Sequence, residues 1–529
     1  MRAWGKRYGA LLLVLLIVSA VCLLFAVRKS GMFIDEIYTY GLSNSHYAPF
    51  LKDVTGGSMQ DRILTRQQML SYLAVDRGQG FDALSVYFNQ TRDVHPPLYY
   101  WLLNAVCSLT PGVFSKWSGL ALDWVIYLWC VSALYLLILR LFDSPFTAAA
   151  GAALYGLSFL GLSTMLMVRM YVLMTALTVQ LALVVLELLL APGRRLYPLL
   201  GLTVFLGLMT QYYFVFYAFF LCGFAVLELL RRREFARAGR FALWAMGGAL
   251  LLPLCFPACL RQLSADALVS GGSAVENLLG GVDAGERIGT MNRLLRLKGL
   301  RAARFVCYPA LALLLVFVKR LPAALRSERA KLGHGLLLLL PALIVYPLVA
   351  VMSPVPSERY FYNILPILML IPCTLLHLLE RCLGDGRKAL PLRALGAAAV
   401  LALALWEARY LPPDYLYPEH RDYSALLRSQ GQSTDCVYLT DGYYAPVTQD
   451  LLQLMEFDEV FLTGDPRSPA LARYAGGGER CVAFIDTSAY WSSGFVPDEV
   501  LPELCETLGL ARWEELYSYE LSSAYLLTK

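Results

Sequence analysis

The chain has 529 residues, 58% of them hydrophobic and only 16% charged, with a formal net charge of +5 and a mean hydropathy of +0.54. Soluble domains carry about 25% charged residues, so one water-exposed fold around a single core is excluded and a polytopic membrane protein is indicated. The small net charge names no partner and nucleic acid is not expected; what matters is where the basic residues fall, because Lys and Arg collect in cytoplasmic loops.

The first apolar span, at 8–27, follows Arg2, Lys6 and Arg7 and is followed by Arg28-Lys29-Ser30 rather than a small-residue cleavage site. It therefore reads as a retained anchor and not a signal peptide. Directly after it comes Phe33-Ile34-Asp35-Glu36-Ile37-Tyr38, two adjacent carboxylates where a membrane helix meets water. Such acids either flank a helix as solvated charges or carry chemistry. The loop 28–117 ends in Asp93-Val94-His95-Pro96-Pro97-Leu98-Tyr99-Tyr100, where the two prolines stiffen the entry to an apolar stretch at 97–110. That stretch is too short to cross and predicts an interfacial helix, with Tyr99 and Tyr100 in an aromatic belt. Asn89-Gln90-Thr91 fits a glycosylation sequon, which matters only in a secretory compartment.

Ten further spans fall at 118–141, 146–166, 171–191, 196–212, 214–230, 241–261, 302–319, 333–353, 360–379 and 389–408, making eleven with the first. Threaded from a cytoplasmic N-terminus, the inner loops hold Arg140, Arg194-Arg195, Arg231 through Arg240, Lys319 through Lys331, and Arg381 through Arg393. All five are basic, as a cytoplasmic location requires. Counting 97–110 as a crossing would invert them all.

The outer face then receives the loop 28–117, the turn Arg169-Met170-Tyr171, the turn Gln211-Tyr212-Tyr213, the loop 262–301, the turn Pro354 to Tyr360, and everything after about 409. Tyr212 and Tyr213 read as belt residues. The outer cluster Arg287, Arg293, Arg296, Lys298, Arg301 and Arg304 breaks the charge rule. It reads as a segment contacting anionic lipid, a lid over a lipid phosphate, or a solvated basic face. Twelve cysteines show no metal-type spacing, and the three in the tail (Cys436, Cys481, Cys505) make no complete disulfide framework.

The composition changes near 410. Short apolar runs at 437–439, 460–462 and 481–485 alternate with helical stretches at 446–456, 468–475 and 497–508, predicting a small α/β domain with a mostly parallel sheet. Ala475-Gly476-Gly477-Gly478 follows a helix and reads as a cap or turn, not a phosphate loop. The expected organisation is a transmembrane domain at 1–409 and an extracytoplasmic α/β domain at 410–529, the latter a scaffold or acceptor-docking module.

Asp35-Glu36, His95-Pro96-Pro97-Leu98-Tyr99-Tyr100, Arg169-Met170-Tyr171 and Glu358-Arg359-Tyr360, in this order and on one face, resemble the GT-C superfamily of polyprenyl-phosphate-dependent glycosyltransferases. The likeness is to its protein O-mannosyltransferase, aminoarabinose-transferase and Rgt-like branch, and it covers residues 30 to about 370, leaving the tail aside. It implies a plasma-membrane, GT-C-like fold in which a lipid-linked sugar is transferred, with inversion, to a glycan, lipid or protein acceptor.

Such transfer needs a base for the acceptor and cations for the leaving phosphate. By motif match the base falls on Asp35, while Glu36 orients the acceptor, contacts it, or assists a divalent metal. His95 hydrogen-bonds the acid, contacts phosphate, joins Glu36 at a metal, or merely caps the helix before the prolines. Arg169 either snorkels to headgroups or grips the lipid phosphate. Arg359 follows the same logic with Glu358 as partner, or makes a simple ion pair with that neighbour; Glu358, Tyr171 and Tyr360 complete the substrate-binding set. A transporter or flippase would require inverted repeats and mid-membrane charges, which the sequence lacks; a non-catalytic sensor leaves Asp35-Glu36 and His95-Pro96-Pro97 unexplained.

Overall fold

A computed structural model describes residues 2–262, 277, 281–299, 301–384, 389–488 and 494–529, with side chains except at 2–7, 297, 299 and 389–392. The expected outer loop 262–301 thus lies partly outside the described residues. Among them, seven helices are long and apolar enough to cross a membrane, or up to nine if two bent pairs each count as one span. The seven begin with Tyr8–Arg28 and continue with Lys116–Phe142, Tyr171–Leu190, Phe214–Arg231, Phe235–Cys255, Arg329–Met352 and Leu365–Leu383.

The eleven expected spans all fall on helices, with two departures in length and composition. The 196–212 span is the shorter helix Leu196–Leu208, and the 389–408 span is Ala389–Tyr410, which carries Arg393, Glu407 and Arg409. Two expected single spans are bent. Pro145–Gly156 and Phe159–Leu166 meet at 58°. The break has a local cause, because the Ser158 hydroxyl accepts from the Gly161 N–H at 3.1 Å and the buried Glu407 carboxylate accepts from the Phe159 N–H at 3.2 Å. A second helix N-terminus is thereby satisfied inside the apolar run. The other oxygen of Glu407 accepts from the Ala302 N–H at 2.7 Å, so one carboxylate serves two helix starts. Arg301–Val316 and Leu321–Ser327 meet at 111°, with Lys319 and Arg320 in the corner and Pro322 in the first turn of the second helix.

The expected interfacial helix is Leu98–Cys107. Its ten residues span about 15 Å, half of a hydrocarbon core of about 30 Å. Tyr99 and Tyr100 do not form a belt: both are fully buried. The Tyr99 hydroxyl donates to Asp123 Oδ1 at 2.7 Å, because a buried phenol takes a partner.

The chain forms two compact units. The first comprises Met1–Ala26, Val94–Tyr99 and Leu120–Asp414 and holds the long helices. The second comprises Val27–Asp93, Tyr100–Gly119 and Tyr415–Lys529. In this grouping the second unit resumes at Tyr415, and residues 27–93 group with the C-terminal residues. The reason is a strand pairing that no local pattern reveals. Strand β1 (Arg62–Thr65) pairs antiparallel with β3 (Glu459–Thr463).

With β2 (Asp435–Leu439), β4 (Arg480–Asp486), β5 (Arg512–Tyr519) and β6 (Ser522–Thr528), these make a six-stranded sheet in the order β1-β3-β2-β4-β6-β5. Only β3-β2-β4 is parallel; β6 and β5 add antiparallel, so the sheet is mixed rather than mostly parallel. Val437, Phe461, Ala483 and Ile485 on the strands pack with Leu471, Leu501, Leu504 and Leu508 on the helices Pro469–Ala475 and Pro497–Leu508 to form the core of this unit. Gly476 caps the first of these helices and Gly477 follows with φ +91°, the turn expected there.

Candidate functional site

Asp35 and Glu36 open the helix Ile34–Asn44. Phe33 is extended (φ −72°, ψ 150°) and its N–H donates to Glu36 Oε2 at 2.8 Å, half of a capping box. The same oxygen accepts from Lys29 Nζ at 2.9 Å, both side chains being 0% exposed. Lys29 also donates to the Tyr415 carbonyl at 2.6 Å, and the Ser30 N–H donates to the Leu416 carbonyl at 2.7 Å. Gly31 has no room for a side chain: a Cβ there would come within 2.4 Å of His420 Nδ1 and 2.8 Å of Tyr417 Cβ. The segment ahead of Asp35 is thus clamped to residues 415–420. Burial chiefly, with the Lys29 charge adding, lowers His420 to about 4, so this contact is made by a neutral imidazole at neutral pH.

The two acids therefore occupy opposite environments. Glu36 is sealed in an ion pair that fixes the helix start. Asp35, one residue earlier, is only partly buried and keeps contact with solvent on a rigid element. Of the two, Asp35 is the more exposed.

In the other unit, His95 is partly exposed, and its segment is anchored by the Leu98 N–H donating to the Met209 carbonyl at 3.0 Å. Arg169 lies between the helices Phe159–Leu166 and Tyr171–Leu190 and is 6% exposed. A snorkelling arginine holds its head in water or headgroups, and so buried a residue does not fit that role. Glu358, Arg359 and Tyr360 lie on the 3₁₀ turn Glu358–Phe361.

Aromatic contacts draw together three turns expected on the outer face, within this unit. Tyr171 meets Tyr362 edge-on at 6.0 Å, Tyr213 meets Tyr360 at 5.5 Å, and the Arg359 guanidinium lies over the Tyr360 ring at 5.3 Å. The Tyr213 phenol is raised by burial first, then by Tyr360 and Tyr171, with Arg359 opposing. Its role is thus in this cluster rather than in a lipid belt.

The basic segment is docked on the same turn. The Arg287 guanidinium donates to the Pro354 carbonyl at 3.2 Å. Lys298 donates to Glu358 at 3.1 Å and pairs with Asp414 at 3.2 Å, and Asn292 accepts from the Tyr346 hydroxyl at 2.7 Å. A purely solvated basic face is thereby replaced by a partly fixed one. Burial disfavours the Lys298 charge, yet Asp414 and Glu358 hold its pKa above the ordinary value. Burial raises Asp414 to about 6 against the pull of Lys298. Glu358 is lowered despite burial, by backbone hydrogen bonding and Lys298. Beside this segment, Arg301, Arg304, Phe305, Tyr308 and Trp406 line a cavity of about 260 Å³, cations and aromatics together at a span end.

Lys29 and Asp414 were not singled out from the sequence as site partners. Lys29 reads there as a flanking charge, and Asp414, after Pro412-Pro413, as loop; their partners are remote in the chain and give no local signal. All twelve cysteines are free thiols. Among the described residues no group of three or more His, Cys, Asp or Glu side chains could hold a metal ion. At Glu36, the Oε2 atom already takes two hydrogen bonds.

Residues 94–260 match the family model of dolichyl-phosphate-mannose-protein mannosyltransferases, so the likeness read from the motifs stands over a stretch that includes His95, Arg169 and Tyr171. No curated protein matches the chain. Among solved structures, the chain is similar to ArnT from Cupriavidus metallidurans bound to undecaprenyl phosphate, at 11% identity, TM-score 0.49 and 98% coverage of each chain. It is also similar to the oligosaccharyltransferase AglB from Archaeoglobus fulgidus in complex with an inhibitory peptide and a dolichol-phosphate, at 12% identity and TM-score 0.45, over 93% of this chain and 72% of that one. The mycobacterial arabinofuranosyltransferase AftD is similar at 14% identity and TM-score 0.41, over 97% of this chain and 40% of that one.

Proposed function

We propose that the protein is an integral-membrane glycosyltransferase that moves a sugar from a polyprenyl-phosphate donor to a glycan, lipid or protein acceptor on the extracytoplasmic face, with inversion at the anomeric carbon. One observation carries this reading: of two adjacent acids, Glu36 is buried in an ion pair with Lys29 while Asp35 is only partly buried on the helix that this pair fixes. Asp35 takes the acceptor hydroxyl proton, the acceptor oxygen bonds to the anomeric carbon, and the bond from that carbon to the phosphate oxygen breaks. The phosphate leaves with the electron pair. Arg169 and Arg359 are assigned to its charge, since guanidinium binds phosphate oxygens in a planar fork. Lys298 and Glu358 position the turn that carries Arg359. His95 is assigned to substrate contact, and no step is routed through a metal.

The test is transfer of labelled sugar by purified full-length protein in lipid, across a panel of hexosyl and pentosyl polyprenyl phosphates. Transfer from one of them, lost on Asp35→Asn, supports the reading. Absence of any transfer or donor binding across the panel removes it.

A further inference from the structure

The helix Ile34–Asn44 also packs against the helix Tyr444–Gln449, which follows β2, and this points to what that domain binds. Strands β3 and β4 lie on opposite sides of β2, so the chain reverses its direction of travel across the sheet between β2 and β4. In open α/β sheets, ligands bind at the carboxyl ends of the strands at such a point. The carboxyl end of β2 runs into Thr440-Asp441-Gly442-Tyr443-Tyr444. The first outer loop is bound there, with Gln60 Nε2 donating to the Thr440 carbonyl at 3.0 Å and Gln60 Oε1 accepting from the Gly464 N–H at 2.6 Å.

Around this end the aromatic side chains are grouped and only partly buried. Tyr38 meets Tyr444 edge-on at 6.2 Å, Phe50 meets Tyr444 at 5.4 Å, and Tyr443 meets Tyr444 at 5.2 Å. Lys52 Nζ lies 5.1 Å from the Tyr444 ring centre and 5.9 Å from that of Phe50. A cation drawn to these faces marks them as electron-rich. Asp53 is half-buried and Asp441 exposed, so the aromatic patch has a charged, hydrogen-bonding rim. Tyr38 stands one helical turn beyond Asp35 and lies on the same side of the helix.

We infer that Tyr38, Phe50, Lys52, Tyr443 and Tyr444 form a subsite for a saccharide in the acceptor. This rests on the transferase reading for the word acceptor, though not for the binding itself. A pyranose or furanose ring has a face of polarised C–H groups that stacks on an electron-rich ring and a hydroxyl edge that needs charged partners; this patch offers both. An apolar lipid or peptide side chain would use the rings and make no use of the charged rim. The C-terminal domain then holds the acceptor beside the helix that carries the base.

The experiment uses purified full-length protein on an array of hexose- and pentose-containing oligosaccharides, with unglycosylated peptides printed alongside. Saccharide binding by the unmutated protein should weaken about tenfold in Tyr444→Leu and Phe50→Leu. Tyr444→Phe, which keeps the ring, should bind as the unmutated protein does, and all three should keep its thermal midpoint. Undiminished binding in both leucine variants, binding to peptides alone, or no saccharide binding at all would overturn the subsite. Saccharide binding lost in the leucine variants, with no sugar transfer from any lipid donor, would sink the transferase reading and leave the subsite standing. Transfer with an unchanged acceptor KM in Tyr444→Leu would do the reverse.

Discussion

Asp35 and Glu36 carry opposite expectations although they are neighbours. Asp35→Asn keeps shape and removes basicity; a general base contributes about 10²–10⁴-fold to rate, so turnover should fall by that much while the thermal midpoint holds. Glu36→Gln instead strands Lys29 as a charge with 0% exposure, which costs about 3–5 kcal/mol when one partner of a buried pair is removed. It should lower the midpoint strongly, and Lys29→Met added to Glu36→Gln should recover most of the loss. Equal midpoints for Asp35→Asn and Glu36→Gln would contradict this division of labour. The pair Asp35-Glu36 was legible from its place after the first span, but which acid faces solvent was not. That depends on Lys29 and on Tyr415, 386 residues away from it in the chain. Arg169 and Arg359 give a second test at this scale. Each charge-assisted contact to phosphate contributes about 1.5–3 kcal/mol, so Arg169→Ala and Arg359→Ala should each weaken binding of undecaprenyl phosphate by about tenfold or more. Undiminished binding in both variants would leave these arginines with a packing role.

Among elements, the strands β2, β3 and β4 were readable because each is a short apolar run buried on both faces. Strand β5 was not, since Arg512-Trp513-Glu514-Glu515 is exposed at a sheet edge and lacks an apolar alternation. Strand β1 was missed because four residues in a long loop become a strand only on pairing with β3. The break at Ser158 was hidden inside an apolar run, its second acceptor coming from Glu407. The bridge between the segment Leu295–Gly299 and the turn Glu358–Phe361 predicts a pH effect. Asp414 is raised from 3.8 to about 6, so between about pH 4 and pH 6 the folded chain holds a proton that the unfolded chain has released. That contribution to stability is complete below the lower value and is lost as pH rises through the upper one. Glu358, lowered from 4.5, acts oppositely: its contribution is present above about 4.5 and fades as pH falls through its folded value. Thermal midpoints recorded from pH 4 to 7 should therefore show a component that declines toward pH 6, and Asp414→Asn should abolish it. An identical pH profile in the variant would assign the component elsewhere.

At the scale of the whole molecule, the sheet constrains the topology. Residues 62–65 and 459–463 pair in one sheet, and an open sheet cannot continue through a bilayer, where every unpaired edge group would lack a partner. The first outer loop and the C-terminal domain therefore share a side of the membrane, and the chain between them crosses an even number of times. The nine spans obtained by counting each bent pair once leave an even number after the first helix. Adding Leu196–Leu208 and Ala389–Tyr410 keeps it even, whereas adding Leu98–Cys107 alone would not. The basic loops predict a cytoplasmic N-terminus, and with it a cytoplasmic Glu328, which is held by Lys331 at 2.9 Å and Arg381 at 2.9 Å. Strand pairing requires an even number of crossings between the two segments, and the charge pattern independently predicts which side they share. Reporter fusions after Arg233, after Ser357 and at Lys529 should accordingly read cytoplasmic, extracytoplasmic and extracytoplasmic. A fusion in the loop near Gly56 should always agree with the one at Lys529. Disagreement between those two would break the sheet argument. Agreement of both with Arg233 would instead overturn the count of crossings and the charge pattern that supports it, and with them the outer location of Asp35.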